Sequence, residues 1–152
     1  MRKLVVLAVL CIIGGLVACS TAVNTSDDPR QTVVQFFNAM SDNDTASLAH
    51  YIDFRTMMNS AGVDYALSTT DAPRVFNAPQ DILHDLVDGG LTKQRWFSYQ
   101  RIVGNATQNN DSALVEVSFI NKDINKQYLT YFGLRRIQEQ WKIYTFKATP
   151  KE

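Results

Sequence analysis

The sequence changes character once, at Gly89-Gly90, and that change limits the folds open to it. Before it, apolar residues recur at helical spacing; after it, they alternate. Val33, Val34, Phe36, Phe37 and Met40 fall at i, i+1, i+3, i+4 and i+7, which puts them on one helix face. Asp28 can cap that helix, Pro29 suits its first position, and Gln31 stands where a capping box takes Glu or Gln. The Ser41-Asp42-Asn43-Asp44 turn ends it. A second helix, starting near Asp44 or Thr45, is expected to bury Ala46, Leu48, Ala49 and Ile52. A third, from Pro79, carries Ile82, Leu83, Leu86 and Val87 on one face and stops at the two glycines. Residues 53–77 are mixed: Phe54, Met57, Met58 and Ala61 are helically spaced, whereas Gly62 and Ser68-Thr69-Thr70-Asp71 suit a loop.

Four strands are expected after Gly90, at residues 95–103, 113–120, 127–137 and 141–148, separated by turn-rich residues 105–111, 121–125 and 138–140. Ala113, Val115, Val117 and Phe119 alternate with partly polar neighbours, the pattern of a half-buried strand. Short connections imply an antiparallel meander. Helices first and a sheet after them give an α+β fold, with N-terminal helices packed on a curved antiparallel sheet.

The N-terminus carries an address. Arg2 and Lys3 precede uninterrupted apolar sequence over residues 4–13, and Gly14-Gly15 follow. The run to Ala18 is about 15 residues, short of the ~20 that cross a bilayer core as a helix. A basic start, a short apolar core and small residues before a cut describe a signal peptide. Leu16-Val17-Ala18-Cys19 closely resembles the lipobox of bacterial lipoproteins. The resemblance implies cleavage between Ala18 and Cys19, a diacylglycerol on the Cys19 thiol, and Cys19 as the new N-terminus. Each buried CH₂ contributes ~0.8 kcal/mol, so two or three acyl chains hold where one alone is marginal. Ser20 occupies the position where an Asp-type signal would retain the protein at the inner membrane; its presence implies the outer membrane, facing the periplasm. The organisation expected is a signal peptide at 1–18, a lipidated cysteine and short tether at 19–27, and one domain at 28–149. Eight extended tether residues after Cys19 reach at most roughly 26–29 Å.

Basic and acidic side chains balance over the whole chain at 15 each, and loss of Arg2 and Lys3 leaves the remainder at −2. No basic surplus or stripe marks a nucleic-acid binder. Cys11 lies in the signal segment and Cys19 takes lipid, so no cysteine is left for a disulfide in an exported domain that would tolerate one.

The opening helix, Asp-rich turn and second helix over residues 33–52 resemble the start of NTF2-like (SnoaL-like) domains. Leu134-Arg135-Arg136-Ile137-Gln138-Glu139-Gln140-Trp141-Lys142-Ile143-Tyr144 resembles their last hairpin. The resemblance covers nearly all of 28–148, and the middle segment departs from the pattern as an insertion would. It implies a cone, a bent sheet wrapped against the helices, often with a pocket at its open end. It implies no chemistry, because the fold hosts isomerases, dehydratases and binding modules alike.

Candidate site residues are few. His50 and Asp53, three apart, could share a helix face as a general-base or metal pair. His84 stands near Asp81 and Asp88. Neither histidine has the close ligand spacing of a metal site, and surface helix positions account for both. Asp53 is the one candidate for a catalytic carboxylate. Tyr99, Tyr128 and Tyr131 fall on expected strands and are candidates for lining a pocket, against the plainer reading that they are core. Arg95 and Arg135-Arg136 read as strand-surface charges. No cofactor or metal is implied. Asn24, Asn43 and Asn105 begin glycosylation-like triplets that mean nothing beside a bacterial lipobox.

Three functions follow. The first is a membrane-anchored, non-catalytic envelope lipoprotein that binds a protein partner or a small apolar ligand. The second is an isomerase- or cyclase-like enzyme with Asp53 buried in the cone. The third is a homodimeric envelope component pairing through the outer sheet face, where Leu114 and Ile120 lie opposite Val115 and Val117.

Overall fold

The computed structural model describes residues 27–59, 67 and 76–150. The signal segment, the Ala18–Cys19 junction and residues 20–26 of the tether lie outside the described residues, as does most of the segment 60–75.

Pro29–Asp42 forms α1. Asp28 is extended, and its carboxylate accepts a hydrogen bond from the Arg30 N–H at 2.8 Å, so the first turn is capped as its sequence suggests. Val33, Phe36, Phe37 and Met40 are buried along one face. Asn43 ends the helix in the left-handed region at φ 59°, its N–H turned back to the Ala39 and Met40 carbonyls. Thr45–Tyr51 forms α2, capped by Asp44, which accepts from the Ser47 N–H (3.0 Å) and hydroxyl (2.6 Å). Leu48 and Ile52 are buried as expected, but Ala46 and Ala49 are exposed. A helix of seven residues buries a narrow line, and with ~3.6 residues per turn the two alanines fall off the line that joins Leu48 to Ile52. Phe54–Asn59 forms α3 and Pro79–Asp85 forms α4. Asp81 steadies the start of α4 by accepting from the Asn77 and Ala78 N–H groups at 2.9 and 3.0 Å.

The expected strand from residue 95 is corrected by a fifth helix. Leu91–Phe97 forms α5, and the sheet begins only at Gln100. The cap of α5 comes from the helix before it: the buried Asp85 carboxylate accepts from the Leu91 N–H at 3.0 Å and from the Thr92 hydroxyl. Gly90 makes that turn possible, since a Cβ there would run into the Asp85 carbonyl. Trp96, on the inward face of α5, is 1% exposed.

The sheet is a four-stranded antiparallel meander in sequence order: β1 Gln100–Asn109, β2 Ser112–Asn121, β3 Lys126–Ile137 and β4 Gln140–Thr145. The expected turn at 105–111 shrinks to Asn110-Asp111, because residues 105–109 continue β1. Register shifts between Val103 and Ala106 and between Gly133 and Leu134 are the bulges that bend such a sheet. Ala113, Val115, Val117 and Phe119 face the helices, and Phe132 and Leu134 join them across the register. The far edge of β4 is covered by Ile52, which bridges to Ile143. The α+β arrangement expected from the sequence is therefore the one observed. No helix among the described residues is long and apolar enough to cross a membrane.

A polar clamp joins the turn after α1 to the turn between α4 and α5. Asn43 Nδ2 donates to Asp88 Oδ2 at 2.7 Å, and Asn43 Oδ1 accepts from the Asp88 N–H (2.8 Å) and from Lys93 Nζ (2.6 Å). Lys93 also pairs with Asp88 at 2.7 Å, and these donors hold the Asp88 carboxyl below its usual range. Two substitutions separate the side-chain bonds from the backbone geometry. Asn43→Gly keeps left-handed freedom and is expected to lower the urea midpoint through the lost side-chain bonds alone. Asn43→Ala should cost roughly a further 1 kcal/mol for its strained φ. Paired urea titrations read the difference directly; equal midpoints for the two variants would contradict it.

Candidate functional site

The natural place for a pocket is the space between the helices and the bent sheet. Six aromatic side chains fill it: Phe36, Phe37, Trp96, Phe119, Phe132 and Phe146, none more than 8% exposed. Their ring centroids lie 5.0–6.2 Å apart, mostly edge to face, the spacing of rings in direct contact. Phe146 comes from the segment just after β4 and closes the cluster against Phe36 at 5.4 Å. Among the described residues, this interior is a packed core.

The three tyrosines are parted. Tyr99 lies in the turn between α5 and β1, not on a strand. Tyr128, the register partner of Phe119, stacks on the Tyr99 ring with centroids 5.7 Å apart and rings 24° from parallel. Arg95, on α5 rather than a strand, sits 5.9 Å from the Tyr99 ring, and Lys126 sits 5.0 Å from Tyr128. The row Arg95, Tyr99, Tyr128, Lys126 thus forms a cation–π ladder. Tyr131 pairs with Glu116 on the opposite face of the sheet.

Asp53 is buried, at 8% exposure, but its surroundings are not apolar. Its N–H donates to the Ile143 carbonyl at 2.8 Å, docking the residue on the β4 edge. One carboxylate oxygen accepts from the Thr56 N–H at 3.3 Å as the cap of α3, and the other pairs with the Arg135 guanidinium. Arg135 and Lys142 are direct cross-strand partners. Two like charges placed opposite each other repel, and Asp53 is the anion beside them. The sequence alone offered no sign that Arg135, read as a surface charge, would meet a carboxylate 82 positions away. Arg136 likewise has a partner: it pairs with Asp27, and its guanidinium lies 4.8 Å from the Trp141 ring.

His50 shares a neighbourhood with Asp53 but not a hydrogen bond. Its carbonyl accepts from Lys142 Nζ, and its ring packs edge-on against Tyr51 at 5.3 Å. Burial, and then the Lys142 charge, lower its pKa from the ordinary 6.5. A depressed value means that the unfolded chain binds the proton more readily than the native one. Stability is therefore whole above pH 6.5 and falls as the pH drops through the native pKa. Thermal midpoints between pH 7.5 and 5 should decline more steeply for the native chain than for His50→Gln; parallel declines would remove His50 from the account. His84 is exposed on α4. Among the described residues no group of three metal-capable side chains assembles.

The comparisons with known proteins add little. No family model matches the sequence, and no curated protein matches it. In three dimensions the chain is similar to the crystal structure of a Campylobacter jejuni protein described as an NTF2-like transpeptidase. The likeness covers 79% of this chain and 99% of that one, at 17% identity and a TM-score of 0.46. A likeness of that extent transfers neither family nor activity.

Proposed function

We propose that this chain is an envelope lipoprotein, held through lipid on Cys19 and facing the periplasm from the outer membrane. Its NTF2-like domain binds a protein partner and catalyses no reaction. The observation that carries the partner reading is the interior: among the described residues, six aromatic rings pack against one another between the helices and the sheet, where a substrate or a small apolar ligand would sit. Asp53 supports it too, since a carboxylate paired with Arg135 and capping a helix is engaged in holding the fold. The NTF2-like reading rests on helices that precede a bent four-stranded meander, together with the hairpin ending in Trp141-Lys142-Ile143.

The homodimer keeps one observation in its favour. The outer sheet face exposes Ile102 at 43% and Leu129 at 51%, on either side of Ser118, with Leu114 and Ile120 half-buried on the same face.

The anchor is tested by labelling cells with radioactive palmitate and separating membranes. The native chain should carry label and sediment with the outer membrane, whereas Cys19→Ala should lose the label entirely. An unlabelled native chain would remove the lipoprotein reading. Native mass spectrometry of the detergent-extracted protein tests the rest: a stoichiometric small-molecule adduct would overturn the view of a filled, partner-binding domain.

A further inference from the structure

Ile52 and Asp53 form a short strap between α2 and α3, laid along the outer edge of β4. Its main-chain hold is the Ile52–Ile143 bridge and the Asp53 N–H on the Ile143 carbonyl. Side chains fasten both ends. Lys142 Nζ donates to the His50 carbonyl on the α2 side, and the Arg135 guanidinium meets the Asp53 carboxylate on the α3 side. Little apolar surface backs these bonds. From α2 through α3 only Leu48, Ile52 and Met57 are buried apolar side chains, Tyr51, Phe54 and Met58 are partly buried, and none of the six clustered rings comes from this stretch. Segments with few buried contacts open at a lower free energy than the whole fold.

The fastening is unbalanced in charge. Arg135 and Lys142 stand opposite each other on β3 and β4, and Asp53 is the carboxylate that meets them. It is also incompletely bonded: among the described residues, Asp53 Oδ2 and Arg135 Nε, both shut off from solvent, make no hydrogen bond. Groups of that kind gain partners when water reaches them, which favours opening. His50 is half-buried next to this pair of cations. Tyr51 packs edge-on against its ring, and Asp44 at the start of α2 acts on Tyr51. Arg55 on α3 is exposed. Helix α2 also packs on α1, which carries Arg30 and Asp42, and on α4, which carries Asp81, His84 and Asp85. The charge that acts on His50 is that of Lys142.

The geometry points to an acid-released strap: protonation of His50 sets a third cation beside Lys142 and Arg135, and Ile52–Asp53 lifts from β4 while the aromatic core stays closed. Once lifted, the ring is hydrated and clear of Lys142, and it binds a proton at ordinary strength. The open form therefore takes up the proton more readily than the closed one, and its share grows as the pH falls below 6.5. Arg135 and Lys142 are cations throughout the range from pH 7.5 to 5, so their mutual repulsion is constant and the change belongs to His50. Lifting bares the Ile143 carbonyl and with it the β4 edge. The inference is independent of the lipid anchor and of what the domain binds.

Hydrogen exchange on the full-length, detergent-solubilised protein tests it. Protection at the Asp53 and Thr56 N–H groups, corrected for the intrinsic pH dependence of exchange, is expected to be lower than at Val117 and Phe132. It should fall about threefold or more from pH 7.5 to 5. In His50→Gln the gap between strap and core should remain and the fall should vanish. Equal protection at strap and core would overturn the strap as a separate unit. No fall in the native chain, or the same fall in His50→Gln, would overturn His50 as its trigger. Asp53→Asn weakens the ion pair and keeps the main-chain bond, so it should lower protection at the strap already at pH 7.5. Unchanged protection there would show that the pair with Arg135 does not hold the strap down.

Discussion

Phe132→Ala is expected to cost about 3–5 kcal/mol, the usual range for emptying a buried phenylalanine site. Phe132 is fully buried at the centre of the aromatic cluster, with its centroid 5.0 Å from Phe146, 5.7 Å from Trp96, 5.8 Å from Phe37 and 6.1 Å from Phe36. Rings touching on four sides cannot all move inward, so a cavity should persist. Domains of this size have ~5–15 kcal/mol in total, and the loss would take a large share of it. A persistent apolar cavity stays dry and admits small apolar molecules. Benzene should therefore raise the melting temperature of Phe132→Ala and leave that of the native chain unchanged. A native chain that responds equally would mean that the interior already has room for a ligand, and the argument for a filled cone would fail.

Asp53→Ala should be the next most damaging change, at about 2–3 kcal/mol. Removing one partner of a fully buried ion pair costs roughly 3–5 kcal/mol, but the Arg135 side chain is 41% exposed. Water screens what is left, and the figure must be discounted accordingly. Loss of the α3 cap adds to it. The repulsion left between Arg135 and Lys142 provides a control. Arg135→Gln in the Asp53→Ala background should recover part of the loss, since no unpaired cation remains beside Lys142. Chemical denaturation of the single and double variants measures this coupling. Strict additivity would show that Asp53 acts through the cap alone. Turnover of any substrate that vanishes with Asp53→Asn, while the fold persists, would reopen the catalytic reading.

What was legible depended on whether the stabilising contact is local. The start of α1 was readable because Asp28 and Pro29 act within one turn, and β2 because its alternation matches its burial. Helix α5 was not. Its inward residues are Thr92, Lys93 and Trp96, two of them polar, so no apolar stripe betrays the period. Its cap comes from Asp85 on the preceding helix, and the two glycines read as the end of one helix also serve the start of the next. The reach of β1 was hidden for a related reason: Gly104 and Asn105 look like turn residues and prove to be a bulge within a continuing strand. At the candidate site, burial of Asp53 could be suspected from the sequence, but its meeting with Arg135 is a matter of tertiary register.

The chain has two tryptophans, and they stand in unlike places. Trp96 is locked among phenylalanines, whereas the Trp141 indole N–H donates to the Asp27 carbonyl at 3.0 Å, just ahead of α1. Their fluorescence is therefore divided between two questions. Light from Trp96 reports whether the interior is intact, and light from Trp141 reports whether the incoming chain is still fastened to the hairpin. A protein carrying Trp96→Phe would shine with the second signal alone, a built-in lamp at the place where Asp27 is fastened to the hairpin.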